Sequence, residues 1–141
     1  NHAFEKTAIK SIDLPEGLTR IGYDAFLGCK NLASINIPDK VTEIGNDAFS
    51  NCEKLVSLVL PKGLNHLEQR VFVDCTNLEN VVFLSMAKAD DITCYPDEVF
   101  RNNSDKLSIW IYKDSGFAEK LSDYSSYFKY IESIFYKGGT I

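Results

Sequence analysis

Apolar side chains return along this chain at a fixed interval. Ile12, Ile35, Leu58 and Val81 share one position, and Leu14, Ile37, Leu60 and Phe83 share the position two residues on. Between them stand Asp13, Asn36, Val59 and Val82. An apolar–x–apolar triplet has the period of two expected of a strand with one buried face. Pro15, Pro38 and Pro61 then end the predicted strand, because proline has no N–H to give to a ladder. The same 23-residue interval relates Leu18, Val41 and Leu64; Ile21, Ile44 and Leu67; Phe26, Phe49 and Phe72; and Cys29, Cys52 and Cys75. Leu32, Leu55 and Leu78 close each unit, while Gly22 and Gly45 hold a turn position that Glu68 breaks. A unit of this length cannot bury its own apolar face, so neighbouring units are expected to stack around one continuous core.

The repeat is irregular at both ends. Phe4 precedes Leu14 by 10 residues where Phe26 precedes Ile37 by 11, so the first unit is slightly short. The chain starts within a repeat, which predicts a piece of a longer protein. Phe72 and Phe100 lie 28 residues apart, five more than the period, and the extra residues fall in 85–98. The register then resumes, with Ile109 and Ile111 as buried strand positions and Trp110 in the slot of Asp13, Asn36, Val59 and Val82. Asp114 or Ser115 is placed to cap a helix carrying Phe117, Leu121 and Tyr124 at i, i+4 and i+7. Tyr127 to Ile134 reads as a closing aromatic strand. The pattern thus predicts one domain, with repeats over about residues 4–112, an insertion at 85–98 and a C-terminal cap over 113–141.

Taking Leu32 to Lys54 as the model unit, the order is Leu-x-x-Ile-x-Ile-Pro-x-x-Val-x-x-Ile-Gly-x-x-Ala-Phe-x-x-Cys. Recurring in phase, this resembles the BspA-type, or treponemal-type, leucine-rich repeat. The segment from Ile109 to Ser115 is similar to that family's closing strand and helix, with Tyr112 where proline is usual. The asparagine-ladder position of ordinary leucine-rich repeats falls at Gly17, Lys40 and Gly63, so that ladder is missing. The resemblance implies a right-handed solenoid of about four to five units, with one parallel strand per unit. It also implies a cell-surface or secreted protein linked to adhesion, with protein or glycan ligands, host-derived ones included. No shared catalytic residues come with it.

Composition narrows the partners. The net charge is −5 and no basic run occurs, which disfavours nucleic acid. No apolar stretch approaches the length of a membrane span, and the opening Asn1-His2-Ala3-Phe4 lacks the charged-then-apolar start of a secretory signal.

Little in the sequence points to chemistry. Three cysteines in one column of a parallel stack read as buried small thiols, since all three cannot pair with one another. Cys94, in the insertion, reads as a free thiol on the loop or packed beneath it. A structural zinc site of the usual kind wants a close-spaced pair such as C-x2-C, and none is present, so no metal or cofactor is expected. His66 shares a column with Arg20 and Glu43 and reads as solvated surface. The acidic pairs Asp90-Asp91 and Asp97-Glu98 lack the calcium-loop pattern. Asn102-Asn103-Ser104 matches the glycosylation triplet, a weak signal in any chain.

The outward column of the strands carries more information. Asp13, Asn36, Val59, Val82 and Trp110 run from polar to apolar, flanked by Ser11, Ser34, Ser57, Asn80 and Ser108. An exposed Val–Val–Trp strip with a polar rim has the make-up of an interface core. Trp110 has an alternative, burial under the insertion or the C-terminal helix. The sequence reading is a non-enzymatic binding module using Asn36, Val59, Val82 and Trp110 on a concave face. A structural spacer is the alternative, and an enzymatic or hydrolase-accessory site at the insertion is a third.

Overall fold

The structure is a computed structural model in which residues 1–96 and 98–132 are described. The apolar triplets form strands as the pattern predicts. β3 (Ser57–Leu60), β5 (Asn80–Phe83), β7 (Ser108–Ile111) and β8 (Phe128–Tyr130) make a four-stranded sheet in that order, parallel throughout. An isolated parallel bridge joins Asp13 to Asn36 in the two preceding units. Register follows the repeat: Leu58 pairs with Val81, which pairs with Ile109, and Leu60 with Phe83, which pairs with Ile111. All six side chains are buried, so the period-two reading assigns the core face of these strands correctly.

One strand per unit is an underestimate. A second parallel sheet runs β1 (Arg20–Ile21), β2 (Glu43–Ile44), β4 (His66–Leu67) and β6 (Thr93–Cys94). Each strand is two residues long; the first three each offer one buried side chain, Ile21, Ile44 or Leu67, and β6 offers the half-buried Cys94. Two residues are too few to show a period, which is why the sequence pattern hides this sheet.

The 85–98 insertion is absorbed into the stack. Residues Ala89–Asp91 form a 3-10 turn, and β6 then pairs with β4, His66 against Thr93 and Leu67 against Cys94. Four of the five extra residues therefore precede β6, and one lies between β6 and Phe100. The turn is tied to α1 (Gly116–Lys120), where the Gly116 N–H donates to the Ala87 carbonyl at 2.6 Å. Ser115 caps this helix by accepting from the Ala118 N–H. The predicted cap therefore holds, but the helix is five residues long and passes into a 3-10 turn at Ser122–Tyr127. The predicted closing strand is β8, and its last expected residues, Ser133 and Ile134, lie outside the described residues.

Aromatic rings form the spine of the core. Phe4, Phe26, Phe49, Phe72 and Phe100 stack in sequence with centroids 5.3–5.8 Å apart, and Tyr124 meets Phe100 edge-on at 5.3 Å. That makes six rungs among the described residues. The tight turn holding each of these phenylalanines uses left-handed backbone twice, at His2 and Lys6, Asp24 and Gly28, Asp47 and Asn51, Arg70 and Asp74, and Glu98 and Asn102. Asp, Asn and Gly tolerate this region best, which accounts for most of these identities.

Candidate functional site

The cysteine column is a hydrogen-bond ladder. The thiols of Cys29, Cys52 and Cys75 donate to the carbonyls of Phe4, Phe26 and Phe49, each in the preceding unit, at 2.9, 3.3 and 3.0 Å. All three side chains are fully buried and unpaired as thiols, as the sequence predicts. The ladder continues without sulfur. Asn103 stands three residues after Phe100, as Cys75 follows Phe72, and its Nδ2 donates to the Phe72 carbonyl at 2.6 Å. Burial pushes the Cys75 thiol up to about 12 and raises Cys52 further in the same direction. Proton loss there would strand a thiolate in an apolar core, so these sulfurs are poor nucleophiles. Cys94, half-buried on β6, is also pushed up to about 12, chiefly by burial, with Lys120 pulling weakly the other way.

The outward column of the longer sheet is only partly open. Asp13 and Asn36 are exposed, and Val59 is 36% exposed. Val82 is 2% exposed, which corrects the expectation of a continuous exposed Val–Val–Trp strip. Its neighbour on β7 is Trp110. It pairs in register with Val82, yet its Nε1 donates to Asn80 Oδ1 at 2.9 Å, two residues earlier on β5. The indole therefore reaches back toward β5 on the Val82 side of the sheet. Trp110 itself stays half-buried. The helix does not cover it: Phe117 of α1 packs on Phe83, which points to the opposite face of β5 from Val82.

The insertion gathers no acidic site among the described residues. Asp90 and Asp91 are exposed on the 3-10 turn, and Glu98 pairs with Arg101 at 2.7 Å. Asp97 lies outside the described residues.

The shorter sheet carries a group that sequence reading set aside. Parallel register puts Arg20 beside Glu43, Glu43 beside His66, and His66 beside Thr93. Glu68 follows His66 by two residues and so returns to the same side of the chain. His66 Nε2 lies 2.6 Å from Glu68 Oε1, and Arg20 reaches Glu43 at 3.1 Å. The only signal in the sequence is that Glu68 stands where the repeat has Gly22 and Gly45.

Two parallel sheets of short strands around a spine of repeated apolar residues define a leucine-rich-repeat protein. The model of the BspA-type leucine-rich repeat region matches residues 1–134 in six copies, and the chain belongs to that family. The six copies agree with the six aromatic rungs and exceed the four to five units expected.

Among solved structures, a leucine-rich repeat protein from Bacteroides ovatus superposes with a TM-score of 0.64 at 24% identity, over 78% of this chain and 27% of that one. The Treponema pallidum leucine-rich repeat protein superposes with a TM-score of 0.57 at 32% identity, over 69% of this chain and 42% of that one. A leucine-rich cell surface protein from Faecalibacterium prausnitzii gives 0.56 at 17% identity, over 90% of this chain and 33% of that one. The chain thus spans less than half the length of each of these proteins. Among curated proteins, none matches.

Proposed function

We propose that this chain is a non-enzymatic recognition module of a cell-surface protein, binding a protein or glycan ligand on the outward face of its longer sheet. In this reading the stack winds as a right-handed solenoid, the sense that parallel crossovers favour, with that face concave. The observation that carries it is the change of character along one column. Exposed Asp13 and Asn36 give way to exposed Val59 and to a Trp110 indole pinned by Asn80. A pinned aromatic beside an exposed valine, rimmed by Ser34, Ser57 and Ser108, has the composition of an interface core with a polar rim. Asn36, Val59 and Trp110 are the members a ligand reaches, and buried Val82 is not. The surface setting is supported by the Faecalibacterium relative, itself named a cell surface protein. No helix among the described residues is long and apolar enough to cross a membrane.

The test is Val59→Asp in the intact protein, screened against matrix proteins and glycans. Val59 is exposed, so the fold should tolerate the change. Loss of binding by about tenfold or more, with unchanged melting, is the expected result for a residue in an interface core. Unchanged binding takes the ligand off this face, and no binding by the intact protein moves the reading to a structural spacer that presents another domain.

A further inference from the structure

The geometry points to a divalent transition-metal site on the shorter sheet, built by Glu43, His66 and Glu68 and best suited to zinc. Among the described residues, these three bring one ligand atom each to within 4.8 Å of one another. The backbone dictates the convergence. Glu43 and His66 are direct cross-strand partners on β2 and β4, and Glu68 lies two residues beyond His66. The side chains are 28%, 30% and 26% exposed, open enough for an ion to enter and sheltered enough to be held by their neighbours.

The donor set decides the metal. One imidazole and two carboxylates suit zinc, whereas calcium and magnesium prefer oxygen donors alone. Zinc binds nitrogen and carboxylate oxygen at about 2.0–2.2 Å, so tetrahedral donors sit roughly 3.4 Å apart. The His66–Glu68 contact of 2.6 Å must open slightly and the longest separation must close. Rotation of the two carboxylate arms does both. Three protein ligands leave a fourth position for water or for a donor from a partner.

Arg20 is the built-in competitor. Its guanidinium lies 3.1 Å from Glu43 Oε1 and neutralises one of the two carboxylates the ion needs. The site therefore makes an unusual demand: removing a residue that is no ligand should strengthen binding. It lies on a different sheet from the proposed recognition face and stands or falls apart from it.

The experiment is calorimetric titration of the whole chain with zinc chloride, together with NMR of the imidazole nitrogens. The chain has two histidines, so a His2→Gln background leaves a single imidazole to observe and removes the cluster His2 forms with Glu5 and Asp24. Expected are one saturable zinc per chain and a shift of the His66 ring nitrogen. His66→Gln should abolish that binding, Glu43→Gln and Glu68→Gln should each weaken it about tenfold or more, and Arg20→Gln should tighten it. The proposal is overturned by no saturable binding in the Arg20→Gln protein, by binding that survives His66→Gln, or by binding that is lost in Cys94→Ser, since Cys94 is the nearest alternative soft ligand on the same sheet.

Discussion

The Trp110 indole donates a hydrogen bond to Asn80 across the strand boundary, on the face of β5 where its own register partner, Val82, is buried. Trp110 is the only tryptophan in the chain, which makes its fluorescence a direct report on this contact. Asn80→Ala removes the acceptor and frees the ring. The expected result is a red-shifted emission, easier quenching by iodide, and a stability loss of about 1 kcal/mol for the missing hydrogen bond. An emission spectrum identical to that of the parent would show that Asn80 does not set the indole's position.

Buried thiols make the fold sensitive to alkali. The Cys75 and Cys94 thiols lie at about 12 in the folded chain against an ordinary 9.0, and Cys52 is raised in the same direction. Above the ordinary value the unfolded chain loses these protons and the folded chain keeps them. Stability from this source is therefore complete below about pH 9 and falls as pH climbs toward 12. Denaturant melts across that range should show a shallower decline in Cys52→Ala and Cys75→Ala than in the parent. At neutral pH a thiol reagent should label the denatured chain at four sites, while Cys52 and Cys75 in the native chain stay unlabelled.

Asn103 tests what the ladder needs. Its Nδ2 serves the Phe72 carbonyl as the thiols serve theirs, but its Oδ1 is buried without a hydrogen-bond partner. Asn103→Cys keeps a donor and removes the orphaned oxygen. It should be neutral or stabilising by about 1 kcal/mol, whereas Asn103→Ala leaves the Phe72 carbonyl short of a donor and should cost about 1–2 kcal/mol. Denaturant midpoints compare the two directly. A destabilised Asn103→Cys would mean that amide shape matters more than the donor.

Much of this architecture was legible in the residues. Core positions such as Leu58, Leu60, Val81, Phe83, Ile109 and Ile111 repeat two apart, and that period states both strand and buried face. The second sheet was not legible, because one apolar residue per two-residue strand carries no period. The ladder was half legible. The spacing of Cys29, Cys52 and Cys75 declared it, but the five-residue insertion hid Asn103 as the next rung. The candidate site was the least legible part. Whether Val82 is exposed depends on how neighbouring strands pack over it, and the convergence of Glu43, His66 and Glu68 depends on a pairing register that only the folded sheet supplies.

Gly116 locks the insertion to the helix, and its substitution should release it. A Cβ built there would lie 2.6 Å from both the Ala89 nitrogen and the Lys88 carbonyl carbon, closer than real contacts allow. Both atoms are backbone, so no side chain can swing aside, and either α1 or the Ala89–Asp91 turn must move. Movement would break the Gly116 N–H to Ala87 carbonyl bond of 2.6 Å. Gly116→Ala should therefore cost about 1–3 kcal/mol, the usual penalty for overpacking a tight contact. It should also raise amide exchange across residues 85–92 more than in β3 or β5. Uniformly faster exchange along the whole chain would instead mean that the contact supports the entire stack, and that the insertion is as much a part of the core as the repeats it interrupts.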